Sequence, residues 1–260
     1  MALFTLPDCN DVLGITSLSV APSSGDAGTD AGGDWCSANA PNATACEDFD
    51  GPDGFARGGW SAPTGNFGEH GVLDDAVFRS PPRALTVSSP PLPNGGRPAQ
   101  WCIVHPFPAS RRVSLAFDLR IDTLDPDGAY VTLADIALAG APPGDGTHVS
   151  ISYDRVGLHI LVLQSQQPVG DHTLAASPAI AVGAWARLEL NVERDADGGA
   201  GAVASAKLDG HAVMLADGTP AARFVVAGAG NTTVILGACF VSPPSIAQIV
   251  HIDDAVVDLR

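Results

Sequence analysis

Apolar side chains recur at every second position along much of this chain, most clearly from Arg111 to Asp122. Val113, Leu115, Phe117, Leu119 and Ile121 fall on one side of an extended backbone. Arg112, Ser114, Ala116, Asp118 and Arg120 fall on the other. Period two is the repeat of a strand with one buried face, whereas a helix repeats near 3.6. Trp185–Arg194 alternates in the same way, with Leu188, Leu190 and Val192 inward. Further strands are predicted over Tyr130–Leu138, His148–Asp154, Val156–Gln164, Ala202–Leu208, His211–Leu215, Thr232–Val241 and Ile249–Leu259. Shorter ones are predicted at Ala45–Phe49, Phe67–Leu73, Ala84–Ser88 and Trp101–His105. A tight Asp154-Arg155 turn predicts a hairpin between two of them. No segment carries a convincing amphipathic-helix pattern.

Gly and Pro, 29 and 21 residues, fall between the apolar runs as turns of a many-stranded fold require. A dozen or more short strands predict two antiparallel sheets packed face to face. Residues 17–34 are small, polar and acidic without periodicity, so 1–34 reads as a flexible tether and 35–260 as one folded domain.

The formal charge is −16 and the only basic cluster is Arg111-Arg112, which excludes a nucleic-acid partner because phosphate backbones demand Lys and Arg. Lys207 is the only lysine among 13 basic residues, a bias expected of a GC-rich bacterial genome. No 18-residue apolar run exists to span a membrane. Met1–Asp8 is no standard signal peptide. Cys9 stands where a lipid-anchored cysteine would stand if the true start lay upstream, although Leu6-Pro7-Asp8 fits a lipobox poorly. Cys36, Cys46, Cys102 and Cys239 lack Cys-x-x-Cys spacing, which disfavours zinc. They can pair in three ways; the expected disulfides are Cys36–Cys46, closing a short loop, and Cys102–Cys239, joining two predicted strands. Free thiols in a cytosolic protein are the alternative.

Three segments carry a family likeness: Cys46-Glu47-Asp48-Phe49-Asp50-Gly51 followed by Gly59-Trp60; Gly183-Ala184-Trp185-Ala186-Arg187-Leu188-Glu189-Leu190 leading to Lys207-Leu208-Asp209-Gly210; and His251-Ile252-Asp253-Asp254-Ala255-Val256. In order and spacing the chain resembles the concanavalin A-like lectin/glucanase superfamily, in its laminin G-like jelly-roll branch, of the kind found in exported bacterial lipoproteins. The resemblance implies an all-β jelly-roll sandwich whose first and last strands pair, bringing Asp48–Asp50 near Asp253–Asp254. It also implies a structural Ca²⁺ where the terminal strands meet, with Asp50, Asp253 and Asp254 as ligands. It implies export to the outer membrane, cell surface or medium.

Catalytic motifs are missing. The superfamily's glucanases carry Glu-x-Asp-x-x-Glu, which does not occur here. Glu189 and Glu193 share one strand face, but residues four apart on a strand are roughly 13 Å apart, beyond the usual glycosidase separation. No Gly-x-Ser-x-Gly elbow or triad context appears. His148 and Ser150 lie on the polar face of their strand, and His159 on the next strand is expected beside them. Trp101 is the freest aromatic for stacking on a sugar, with Trp35 next. The resemblance, together with the tether, implies as the expected function a non-catalytic surface recognition or adhesion module for a glycan or cell-envelope polymer. The alternatives are a structural envelope lipoprotein without a small ligand and, less favoured, a polysaccharide hydrolase or lyase.

Overall fold

The computed structural model describes residues 35–51, 59–61, 70–91, 99–123, 130–138, 146–154, 157–164, 167–173, 180–195, 200–226, 230–241 and 246–260. Cys9 and the expected tether lie outside them. After a short helix α1 (Trp35–Asn39) come β1 (Ala45–Glu47), β2 (His70–Asp74), β3 (Ala84–Ser89), β4 (Ala99–Phe107), β5 (Arg112–Thr123), β6 (Val131–Leu138), β7 (Thr147–Tyr153) and β8 (Leu158–Gln164). Then follow β9 (Gln167–Thr173), β10 (Trp185–Arg194), β11 (Gly201–Leu208), β12 (His211–Val213), β13 (Ala222–Val225), β14 (Thr232–Val241) and β15 (Gln248–Leu259).

Two antiparallel sheets form a sandwich. The larger has nine strands along the path β12-β11-β10-β5-β15-β3-β2, with β1 on β15 and β13 on β11; the smaller has six, ordered β4-β14-β6-β7-β8-β9. Their facing sides share one core, in which Leu115, Phe117 and Leu119 of the larger sheet join Ile136, Ile151, Ile160 and Leu236 of the smaller. The alternation on β5 and β10 works as period two requires, every second residue being sealed against the opposite layer. The first strand pairs with the last, Cys46 opposite Val256, and β7 and β8 form the predicted hairpin.

Two strands and one helix are additions. β9 contains Pro168 and Gly170 and no apolar alternation; β13 is four residues long on the flank of β11. Both are defined by ladder hydrogen bonds to a neighbour, which leave no hydrophobic signature. The helix α1 is barely one turn, inside the loop that the Cys36–Cys46 disulfide closes.

The other expected disulfide is not formed, and Cys102 and Cys239 are thiols. Cys102 stands opposite Gly237, so Cys239 lies two positions farther along β14 and faces a different part of β4. Both side chains instead pack with Val104 and Ile235 in a small apolar cluster separate from the main core.

Candidate functional site

On β6, β7 and β8 the side chains turned away from the core form a mixed polar surface. Val149, Ile151 and Tyr153 enter the core, so His148, Ser150 and Ser152 face outward; on β8, Leu158, Ile160 and Val162 enter it and His159, Leu161 and Leu163 face outward. Strand register sets these residues in rows. Ile235, Asp135, Ser150 and Leu161 are successive cross-strand neighbours, as are Thr233, Ala137, His148 and Leu163. A third row runs Thr132, Ser152, His159.

Hydrogen bonds pin this surface. Both carboxylate oxygens of Asp135 lie 3.2 Å from His148 Nδ1, and Ser150 Oγ donates to Asp135 Oδ2 at 3.0 Å. A carboxylate only accepts, so His148 carries a proton on Nδ1. The Thr132 and Ser152 hydroxyls are 3.0 Å apart, and His159 Nε2 lies 3.1 Å from Asp154 Oδ1. The Ser150 hydroxyl is committed to Asp135 rather than to an imidazole, so the trio is not a serine nucleophile with its base. His159 is not beside His148: it lies opposite Ser152, four residues farther along β7, or roughly 13 Å. Asp135, which organises His148 and Ser150, is absent from the sequence-based candidates. Its part depends on the β6–β7 register, which one strand's alternation does not encode.

Trp101 is no stacking platform. It is 7 % exposed and belongs to the main core, its ring lying over Gly71 of β2 so closely that a Cβ there would sit 2.2 Å from Cη2. Trp60 is buried edge-on to His105, and the Arg187 guanidinium covers Trp35 at 5.6 Å.

The carboxylates expected to bind Ca²⁺ have other partners. Asp253 Oδ2 accepts the amides of Arg79 and Ser80 at 2.8 and 3.0 Å, and its Oδ1 accepts the amide of Asp254 at 2.9 Å. Asp254 Oδ1 accepts the Ser80 hydroxyl at 2.7 Å, and Asp50 Oδ1 accepts the Arg83 amide at 3.1 Å. These bonds tie the β2–β3 turn to the bulge of β15, where Asp254 adopts φ 49°. Among the described residues no three His, Cys, Asp or Glu side chains are grouped to hold a metal ion. The terminal-strand carboxylates thus act as turn anchors. Burial, and then the neighbouring Asp254 charge, push the Asp253 carboxyl up to about 8 against the pull of the three amides. Burial likewise pushes Asp254 to about 7, the Ser80 hydrogen bond opposing and the Asp118 charge reinforcing it.

The outer side of the larger sheet carries ion pairs. Lys207 Nζ meets Glu189 at 2.8 Å and Arg111 meets Glu193 at 3.6 Å, so the two glutamates are solvated partners of bases. Nearby, His251 is buried between Thr86 Oγ1 at 2.7 Å on Nδ1 and Asp122 Oδ2 at 3.0 Å on Nε2. Burial opposes ionisation of Asp122, but hydrogen bonds from Arg120 and His251 outweigh it and hold its pKa below the usual value. His251 is almost wholly enclosed and its partners come from β3 and β5, so this network reads as a cross-strand brace.

No family model matches the chain, and no curated protein sequence does. Solved structures do. The endo-β-1,4-glucuronan lyase of the fungus Trichoderma reesei superposes with a TM-score of 0.57 at 13% identity, over 84% of this chain and 96% of that one. The cellulose induced protein Cip1 gives 0.55 at 17% identity, over 82% and 95%. The marine PL-14 alginate lyase from Aplysia kurodai gives 0.53 at 8% identity, over 84% and 99%. At such identities the likeness is one of fold, and the chain has the jelly-roll sandwich of the concanavalin A-like type.

Proposed function

We propose that the protein is an exported, non-catalytic recognition module that binds a glycan on the outer face of the six-stranded sheet. The observation that carries this is the pinned row system around Asp135, His148 and Ser150, continued by Thr132, Ser152 and His159. Sugars present alternating hydroxyls and apolar C–H faces. This surface offers the part-exposed imidazoles of His148 and His159 beside Leu161 and Leu163, with Thr132, Asp135, Ser150 and Ser152 nearly buried among them. Export is supported by the Cys36–Cys46 disulfide, since such bonds persist in oxidising compartments. The laminin G-like assignment, a tether over 1–34, a folded unit over 35–260 and a lipid anchor at Cys9 belong to the same proposal.

Elimination chemistry is the weaker reading. Asp135 orients His148 as a general base would be oriented. Removing a proton α to a uronate carboxylate, however, calls for a cation or donor set to take the developing charge. The strands of the six-stranded sheet hold no Arg or Lys.

Affinity electrophoresis through gels containing cell-wall and plant polysaccharides tests the proposal. At least one polysaccharide is expected to retard the wild-type protein, and His148→Ala and Ser150→Ala to lose that retardation while melting cooperatively. Retardation of nothing, or retardation indifferent to both substitutions, would point instead to a structural envelope protein.

A further inference from the structure

Charge is divided unevenly between the two sheets. β4, β6, β7, β8, β9 and β14 together contain no Arg, Lys or Glu; their only acids are Asp135 and Asp171. Four of the seven histidines, His105, His148, His159 and His172, lie on these strands. Every described Arg and Lys stands on the nine-stranded sheet or in the turns and chain end beside it, from Arg79 and Arg83 to Lys207 and Arg260. Within a chain of formal charge −16, one whole sheet is thus nearly free of fixed charge. Sheets that simply face water are ordinarily studded with charged side chains.

We infer that the ligand of the six-stranded face is an uncharged polysaccharide rather than a polyuronate; this rests on the glycan reading above. A polyuronate brings a carboxylate with every sugar, and each one laid on a protein surface loses water. Arginine forks and lysines normally compensate that loss. Here the outward rows supply none: their ionisable members among the described residues are Asp135, paired with His148, His159, paired with Asp154, and Asp171, which stands opposite Leu161. The one carboxylate at the centre of the rows would repel a second, and the acidic chain around it adds to the repulsion within a Debye length. An uncharged glycan meets no such opposition. Its hydroxyls can pair with the part-exposed imidazoles of His148 and His159 and its C–H faces can cover Leu161 and Leu163, whereas Ser150, Ser152 and Thr132 are almost wholly buried. The division between the solved lyases, whose names specify uronate polymers, and this chain then follows from side chains on a shared fold.

The test compares neutral polymers (xylan, mixed-linkage β-glucan, galactomannan) with alginate, polyglucuronate and polygalacturonate by affinity electrophoresis at low and high salt. A neutral polymer is expected to retard the protein equally at both salts, with the polyuronates at least about tenfold weaker. Leu163→Lys, which sets a cation beside His148, is expected to create retardation by polyuronates that high salt abolishes. Tighter binding of a polyuronate by the wild type, lost in His148→Ala, would overturn the inference yet leave the recognition module standing. No binding to any polymer would remove both. A concentration-dependent dimer that Leu163→Lys dissolves would assign the face to a second copy and overturn the inference as well.

Discussion

Cys102 on β4 stands opposite Gly237 on β14, and the two backbones approach so closely that no side chain fits at position 237. A Cβ there would meet the Trp101 carbonyl oxygen at 2.5 Å and the Cys102 Cα at 2.8 Å, and the backbone sits at φ +147°. Neither neighbouring atom can swing aside, because both are main chain within a ladder. Gly237→Ala is therefore expected to cost about 2–4 kcal/mol through strain and strand displacement. Chemical denaturation checks it; an unchanged midpoint would show that β4 and β14 can separate freely.

Gly71 plays a related part across the sandwich, leaving room for the Trp101 ring. Trp101→Leu keeps the site apolar but leaves part of the ring's volume empty, and is expected to lose about 1–3 kcal/mol. Polysaccharide retardation should be unaltered, because the ring faces the core and not the outer rows. Loss of retardation in a variant that still folds would return Trp101 to the binding surface.

The architecture was legible where one residue's environment depends on its own strand. β5 and β10 announce themselves because sealing one face of an extended segment imposes period two on it. Cys36–Cys46 was legible because ten residues of loop bring the two together whatever the sheet does. What escaped depends on register between strands. Asp135 meets Ser150 only because β6 and β7 slip between Thr132 and Ala134, and Cys239 misses Cys102 because the β4–β14 register sets Gly237 there instead. Asp253 and Asp254 were readable as neighbours of the first strand, but their partner Ser80 lies 173 and 174 residues away and gives no signal. The brace through Thr86, His251 and Asp122 escaped for the same reason.

The Cys36–Cys46 bridge holds the segment that enters β1, whose partner is the last strand. A loop of this size should confer about 2–3 kcal/mol by restricting the unfolded chain. Replacing both residues by Ser is expected to lower the unfolding free energy by that amount without altering sheet content. Alkylation of the unreduced, denatured protein should label Cys102 and Cys239 and spare Cys36 and Cys46. Protection of Cys102 and Cys239 as a pair would contradict the thiol assignment.

The pH dependence of stability should bear the mark of the β15 bulge. Asp253 and Asp254 ionise near the ordinary aspartate value of 3.8 when unfolded but only at about 8 and about 7 in the fold. Between those values the native state holds protons that the unfolded chain has released, so stability falls as pH rises. The contribution is complete below the unfolded value and lost through the folded ones. Asp118, raised by burial against the pull of Arg187, adds in the same direction and hydrogen-bonds to Asp254, a contact that requires a proton between the two carboxyls. Asp254→Asn supplies an amide hydrogen in place of that proton and can still accept the Ser80 hydroxyl. Asparagine also tolerates the left-handed backbone at this position. The variant is expected to melt higher than wild type above pH 7, on the order of a few kcal/mol more stable there, and to show a shallower slope from pH 5 to 9. Thermal melts across that range decide it. A wild-type protein that grows more stable as pH rises through this range would mean that both carboxyls ionise without difficulty, their amide and guanidinium neighbours outweighing burial.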